Sequence, residues 1–263
     1  MKENFIYSFG AKYYDKIYSF INYKKEVDLL TSFIKKYKSN KGNRLLDVAC
    51  GTGNHIPFLK KEYEITGIDK SAEMIKIAKS KIKDVDFIIS DMLNLNLNKK
   101  FDVILCLASS ISYLENYTNL KKVIKRLSDH LSPGGVLILE PWQTKNGDDI
   151  SGKPYLLTFE TEDVKIARVG VMNKRGIVSV IETSYLIAER DKKIKYFNET
   201  HKLANFDDKK FLNIMNNSGL KSHIEKSYNK FYIGVKINIR YSIKYENNSK
   251  DRKINSKRCR KIH

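Results

Sequence analysis

The sequence predicts an α/β fold: a parallel β-sheet with helices on both faces, carrying an inserted antiparallel β-sheet and preceded by N-terminal helices. Three observations predict it. From Arg44 to Glu140, short apolar runs alternate with longer amphipathic segments; from Tyr155 to Leu203 the rhythm changes to β-rich runs split by charged turns; and the first 40 residues space their aromatic and aliphatic side chains at helical period.

The elements follow in order. Tyr14, Ile17, Tyr18 and Ile21, then Val27, Leu30, Phe33, Ile34 and Tyr37, predict two amphipathic helices. RLLDVA, YEITGID, VDFIIS, FDVILCL and GVLILE read as buried strands, with Ser71–Lys81 and Asn116–His130 as helices between them. Pro133-Gly134-Gly135 reads as a turn between helix and strand. Tyr155–Glu160, Val164–Val171, Ile177–Glu189 and Ile194–Leu203 predict a small antiparallel sheet, turning at Asn173–Gly176 and Glu189–Lys193. Phe206–Asn217 resumes as a helix capped by Asp207, Gly219 stops it, and Ser222–Ser227 with Phe231–Lys236 forms a closing hairpin. Residues 1–236 therefore form one domain, with 143–205 as the inserted β region and 237–263 as a basic, disordered tail.

Composition excludes several classes. Hydrophobic residues make up 41% and charged residues 30%, a globular balance. Lys and Arg number 49 against 30 Asp and Glu, a formal charge of +19 that would attract nucleic acid, anionic lipid or phosphorylated substrates. The tail holds nine of the bases and two of the acids, so +7 of the excess sits outside the domain. Cys50, Cys106 and Cys259 are odd in number and lack metal-ligand spacing, which predicts neither a disulfide framework nor a metal site and suits a reducing cytoplasm. The N-terminus MKENFIYSFG has no apolar signal region, and no run is long enough to cross a membrane as a helix.

The segment that carries chemistry is Leu45-Leu46-Asp47-Val48-Ala49-Cys50-Gly51-Thr52-Gly53-Asn54-His55, a buried strand running into a glycine turn and then a helix. Glycines there let backbone approach a ligand with no Cβ in the way. Asp69 closes the second strand, where an acid accepts ribose hydroxyls, and Asp91 follows the third, where a carboxylate can take an adenine amino group. Three acids at three successive strand ends are a more specific signal than one Gly-x-Gly. A dinucleotide-binding turn wants a third glycine, and Ile56 stands in its place. Nicotinamide binding is the reading that this departure disfavours.

On these residues, with Ser90-Asp91-Met92 and Leu131-Ser132-Pro133-Gly134-Gly135, the chain resembles the class I S-adenosylmethionine-dependent methyltransferases, which implies a Rossmann-like seven-stranded sheet. Phe101–Leu114, Glu140-Pro141-Trp142 and Ile166-Ala167-Arg168-Val169 are similar to nucleotide-linked amino-sugar N,N-dimethyltransferases of the desosamine and mycaminose kind, over roughly residues 5–236. The resemblance implies S-adenosyl-L-methionine as cofactor. It assigns Ala49, Gly51 and Gly53 to the methionine part, Asp69 to the ribose, Lys70 and Met74 to the adenine pocket, Asp91 and Met92 to the adenine, Leu107 to the cofactor site, and Tyr14 as its cover. It places Tyr113 and Tyr7 beside the reacting amine, although Tyr7 lies seven residues before Tyr14 where the family spacing is eight. Two departures stand out: Gln143-Thr144-Lys145 replaces a second Trp and a Phe-Pro, and Asn229-Lys230 stands where the family has an arginine suited to a diphosphate.

Methyl transfer from a sulfonium asks mainly for orientation and a dry pocket, and a neutral amine attacks once a phenol or water chain relays its proton away. Tyr113 is the expected positioner of that amine, with Tyr7 second. Trp142, Arg168 and His201 are candidate acceptor contacts; His55 is expected to bond the helix start, and His130 to sit as a cation at a helix C-terminus. The alternative function is methylation or binding of RNA or another nucleic acid. Base-methylating enzymes commonly carry an Asn/Asp-Pro-Pro-Tyr run where this chain reads Leu107-Ala108-Ser109-Ser110, while ribose or ring-carbon methylation stays open. The inserted sheet has more apolar residues than one layer buries, so a homodimer through it is expected.

Overall fold

The computed structural model describes residues 4–142 and 152–237. Its strands, in chain order, are β1 (Arg44–Val48), β2 (Glu64–Asp69), β3 (Asp86–Ile89), β4 (Phe101–Cys106), β5 (Leu131–Leu139), β6 (Pro154–Glu160), β7 (Val164–Arg175), β8 (Val178–Glu189), β9 (Lys195–Ala204), β10 (Leu220–Lys226) and β11 (Lys230–Lys236). Seven form one sheet in the order β3-β2-β1-β4-β5-β11-β10, and four form a second in the order β6-β7-β8-β9. β1 pairs in parallel with both β2 and β4, β4 in parallel with β5, and β11 alone runs against its neighbours. The strand order reverses between β1 and β4, which opens a crevice at their carboxyl ends.

Alternation along the strands builds a core on each face. Leu46, Val48, Ile104 and Cys106 meet α5 (Tyr117–His130) and α6 (Asp208–Asn217) on one side, while Leu45, Val103 and Leu105 meet α2 (Tyr23–Tyr37) and α4 (Ala72–Lys81) on the other. β4 is buried along its whole length, and each fully buried Leu, Ile or Val adds roughly 1.5–3 kcal/mol. Asn22, Ser71, Asn116 and Asp207 cap α2, α4, α5 and α6 by accepting the backbone N–H three residues on, each worth about 1 kcal/mol. A 3-10 turn at Phe5–Tyr7 and α1 (Ala11–Ile17) pack through Phe5, Ile6, Tyr13 and Ile17 onto Ile166, Tyr185 and Ile187 of the smaller sheet. The N-terminal segment thereby bridges the two sheets.

The predicted α/β architecture and the antiparallel insert stand, with three local corrections. Pro133-Gly134-Gly135 is a bulge inside β5: Phe101 pairs with Leu131 and Val103 already with Val136, and Gly134, at φ +75°, lets the surplus residues loop out. The turn at Asn173–Gly176 shrinks to Gly176-Ile177, because Asn173, Lys174 and Arg175 all continue the ladder to Val180, Ser179 and Val178. His130 ends α5 but its Nε2 accepts from Leu97 N–H at 2.9 Å while Nδ1 faces Arg126 C=O at 2.7 Å, so it bridges two backbones through a lone pair and an N–H. The tail beyond residue 237 and Gln143-Thr144-Lys145 lie outside the described residues. Among the described residues no helix is long and apolar enough to cross a membrane.

At the start of β1, buried Asp102 accepts from Arg44 N–H at 3.1 Å and Asn40 Nδ2 at 3.0 Å, tying the α2–β1 connection to β4. Asp102→Ala leaves those donors unpaired and is expected to lower unfolding free energy by about 1–3 kcal/mol, read from urea denaturation.

Candidate active site

β1 and β4 both leave the sheet through left-handed residues: Ala49 at φ +57°, then Ala108 at +49° and Ser109 at +63°. A non-glycine residue held there costs about 1–2 kcal/mol, and such strain gathers at functional sites. Gly51, at φ +56°, is the point of closest approach, since a Cβ added there would meet no atom within 4 Å and would project into open space. Gly53 is buried and closes against Ile82. Asp69 Oδ2 accepts from Gly51 N–H and Oδ1 from Ser71 N–H, both at 2.9 Å, so the acid that ends β2 also fixes the shape of the glycine turn. Asp91 caps the short helix Met92–Asn94 through Leu93 N–H at 2.8 Å. Lys70 is exposed beside Asp69; Met74 is buried in the first turn of α4, and Leu107 is buried at the end of β4.

Asp47, inside β1, is the first of the three strand-end acids, to which the sequence reading assigned no contact, and the structure gives it an unusual position. It is 3% exposed and its Oδ2 has no hydrogen-bond partner among the described residues. Burial pushes its carboxyl up to about 6, opposed by His55 and reinforced by Asp69. An unpaired buried carboxylate at the ligand end of a sheet is complementary to a cation, and S-adenosylmethionine carries a sulfonium and an ammonium. With the open space at Gly51 and the acids Asp69 and Asp91 nearby in the fold, the residues present fit that cofactor. His55 does not bond the helix start as expected; its Nε2 pairs with Glu26 at 2.9 Å, because α2 brings a carboxylate within reach.

A second cluster assembles from four separate elements. The hydroxyls of Tyr7 and Tyr113 lie 2.8 Å apart, Tyr113 Oη lies 2.7 Å from His201 Nδ1, and His201 Nε2 lies 2.7 Å from Glu199 Oε1. Glu199 Oε1 also accepts from Tyr185 Oη at 2.6 Å, and Oε2 accepts from Ile6 N–H at 2.9 Å. Burial raises the carboxyl of Glu199, but the hydrogen bonds it accepts from His201, Tyr185 and Ile6 bring it below the ordinary value, so it is ionised at neutral pH. Burial pushes the phenols of Tyr7, Tyr14 and Tyr113 upward and keeps them protonated. The Tyr7 carbonyl accepts from Ser71 Oγ, and Asp15 accepts from Thr52 Oγ1 at 2.5 Å, Asn54 Nδ2 at 2.9 Å and Lys81 Nζ at 2.6 Å. These contacts dock the turn bearing Tyr7 and the helix bearing Tyr14 onto the cofactor loops.

Arg168, from β7, is 8% exposed and boxed by the rings of Tyr18, Tyr155 and Tyr185 at 5.5–5.8 Å. It donates to Tyr18 Oη at 3.0 Å, its Nε has no partner, and no carboxylate pairs with it among the described residues. Trp142 is held by Ser112 at its N–H and by Ser179 at Nε1, and packs with Met172, Ile181 and Leu203 beside Tyr113 and Tyr155. Lys230 is paired with Asp208 at 2.9 Å, and Asn229 donates to buried Glu140, which also accepts from Ala108 N–H, so this hairpin braces the turn after β4. A concavity lined by Lys60, Glu64, Asp86 and Lys99 lies at the opposite, amino ends of β2 and β3 and carries both signs of charge. Glu199 escaped the sequence reading, although the spacing Glu199-x-His201 puts both on one strand face, where a buried His brings a buried acid with it.

The orphaned charge of Asp47 yields a stability signature. A carboxyl raised in the folded state binds more protons than in the unfolded chain between about pH 4 and 6, so its destabilising contribution is absent below that window and fully developed above it. Asp47→Asn is expected to raise unfolding free energy by up to about 3 kcal/mol at pH 7. Thermal melts at pH 7 and pH 4 check this, the gain fading at the lower pH.

Residues 45–135 match the family described as a methyltransferase domain. A dTDP-3-amino-3,6-dideoxy-alpha-D-glucopyranose N,N-dimethyltransferase of Streptomyces fradiae is 30% identical over 200 residues, spanning 76% of this chain and 78% of that protein. Among solved structures, DesVI of Streptomyces venezuelae matches with a TM-score of 0.75 at 25% identity, over 82% of this chain and 92% of its own. CalS10, an amino pentose methyltransferase from Micromonospora echinaspora solved with S-adenosylmethionine bound, shares the fold with a TM-score of 0.73 at 24% identity, over 82% and 92%. At that identity and coverage the chain belongs to the class I S-adenosylmethionine-dependent methyltransferases, in the family of the nucleotide-linked amino-sugar N,N-dimethyltransferases.

Proposed function

We propose that this enzyme transfers methyl groups to the amine of a nucleotide-linked amino sugar, in the cytoplasm. The observation that carries the reading is the hydroxyl chain Tyr7–Tyr113–His201, docked through Ser71 beside Asp69 and flanked by a buried cation, Arg168, that pairs with no carboxylate. An amine needs a proton acceptor, and a diphosphate needs a cation whose planar fork is not already spent on a carboxylate. Lys230, taken up by Asp208, supports Arg168 as the phosphate contact in its stead.

S-adenosylmethionine, when bound, would supply an electrophilic methyl group on sulfur for the acceptor nitrogen, with a neutral thioether as the leaving group. Asp47 would face the cationic part of that ligand, Asp69 would take the ribose hydroxyls, and Asp91 with Met92 the adenine. Gly51, Ala49 and Gly53 would give the methionine end its approach, Leu107 would line the site, and Lys70 and Met74 would belong to the adenine pocket. Tyr14 covers the site from α1. Tyr113 and Tyr7 orient the amine and accept its proton, and Trp142 walls the sugar side. Holding the two reactants in line and away from water accounts for most of the acceleration such a site can give.

A homodimer fits the smaller sheet, whose outer face exposes Leu156, Val169, Leu186 and Tyr196 on four adjacent strands. Light scattering after size exclusion should give twice the chain mass, and a strict monomer removes this assembly.

A screen with labelled cofactor over nucleotide amino sugars, small amines and RNA should give transfer to the first class. With the best acceptor, Tyr113→Phe should lower kcat about tenfold or more with a smaller change in KM. Transfer to RNA in preference to every amino sugar overturns the acceptor assignment.

A further inference from the structure

Glu199 stands at the junction of two structures that must both be right for the reaction. Its Oε1 accepts from His201 Nε2 and Tyr185 Oη, and its Oε2 accepts from Ile6 N–H, one residue before Tyr7. An ionised carboxylate only accepts, so the proton on the imidazole resides on Nε2. Nδ1 is then a lone pair, aimed at Tyr113 Oη at 2.7 Å, with the Asn4 amide nitrogen 2.9 Å away. Tyr113 donates to it, and Tyr7, 2.8 Å further out, donates to Tyr113. The chain thus has a direction: its free acceptor end is the Tyr7 oxygen, half-buried at the front, and its proton sink is His201, buried at the back.

We propose that Glu199 is a positioning residue for methyl transfer, holding His201 in the tautomer that draws a proton from the acceptor amine through Tyr7 and Tyr113 while fixing the turn that carries Tyr7. The proposal rests on the amine reading given above. In the step, the acceptor ammonium gives one proton to Tyr7 Oη, the Tyr7 proton passes to Tyr113 Oη, and the Tyr113 proton passes to His201 Nδ1. The amine is left neutral, both phenols are restored, and an imidazolium faces the Glu199 carboxylate; the proton returns along the same chain to solvent when product leaves. A carboxylate beside the imidazolium stabilises it in the manner of an orienting acid behind a general base. The other groups facing this pair are the Arg168 guanidinium from β7, Tyr185 from β8, and Tyr18 and Tyr14 from the N-terminal segment. Their phenols are held protonated by burial, leaving His201 as the proton acceptor of the cluster.

Glu199→Gln keeps the shape and removes the charge. At neutral pH kcat should fall at least tenfold, and the deficit should shrink as pH rises toward about 9, where the acceptor amine sheds its proton in solution unaided. Affinity for S-adenosylmethionine, read by calorimetry, should stay within a few-fold. His201→Gln should show the same pH-dependent loss, and the double variant no further loss. Independently of turnover, long-range 1H–15N spectra of 15N-histidine-labelled protein should show His201 with an N–H at Nε2 and a lone pair at Nδ1, a signature that Glu199→Gln disturbs. A Glu199→Gln profile parallel to wild type at every pH, or the opposite tautomer in the wild type, overturns the proposal. Should Glu199→Gln fail to fold, the His201→Gln profile and the wild-type spectrum decide it. A wild-type enzyme that methylates no amino sugar overturns the acceptor reading instead, and the spectrum still judges the tautomer.

Discussion

Everything in this molecule hangs on the seam between β1 and β4. Parallel strands on either side of a reversal in sheet order send their connecting helices to opposite faces, so the backbone at their carboxyl ends parts into a crevice. Ala49, Ala108 and Ser109 adopt left-handed backbone there because the chain must turn away sharply on both sides of the crevice. That geometry is held by polar bonds rather than by apolar packing: Asp69 grips Gly51 and Ser71, and Glu140 grips Ala108 and Asn229. The strained turns persist because the fully buried strands beneath them cannot shift.

The second layer of organisation is the N-terminal segment. It has little core of its own, and it acquires one by packing onto the smaller sheet while its polar groups reach the larger one. Glu199 holds Ile6 from the first side; Ser71 and the Asp15 network hold Tyr7 and α1 from the second. The N-terminal segment, which belongs to neither sheet, therefore ties the two together. Among the described residues, an Asp47 Oδ2 without a hydrogen-bond partner and an Arg168 with no carboxylate bonded to it are two buried charged groups of opposite sign. Opposite signs at the two places match a cationic cofactor and an anionic acceptor.

Seen this way, the net charge of +19 is not one property. Some lysines of the described surface sit in exposed pairs such as Lys125–Asp129 and Lys24–Asp28, which contribute little to stability. Lys230, which with Asn229 stands where the family has an arginine, is one of the paired ones. Arg168, by contrast, is buried inside a box of three tyrosine rings.

The sequence by itself determined the strands, the helices, the cofactor turn and the acids at the strand ends. Each is written in a local signal: period 3.6 or 2 in apolar residues, a glycine where backbone must come close, an acid one strand later. Its errors were also local, as at Pro133-Gly134-Gly135, where a turn signal sits inside a strand because a bulge uses the same residues. Tertiary structure alone decided how Tyr7, Tyr113, His201 and Glu199 meet. Tyr7 meets Tyr113 across 106 residues of chain, Tyr113 meets His201 across 88, and Ile6 meets Glu199 across 193. No periodicity encodes such meetings. They depend on which edge of which sheet the N-terminal turn lies against, and a side-chain hydrogen bond, being short and directional, exists only once that packing has fixed both partners to within a fraction of an ångström.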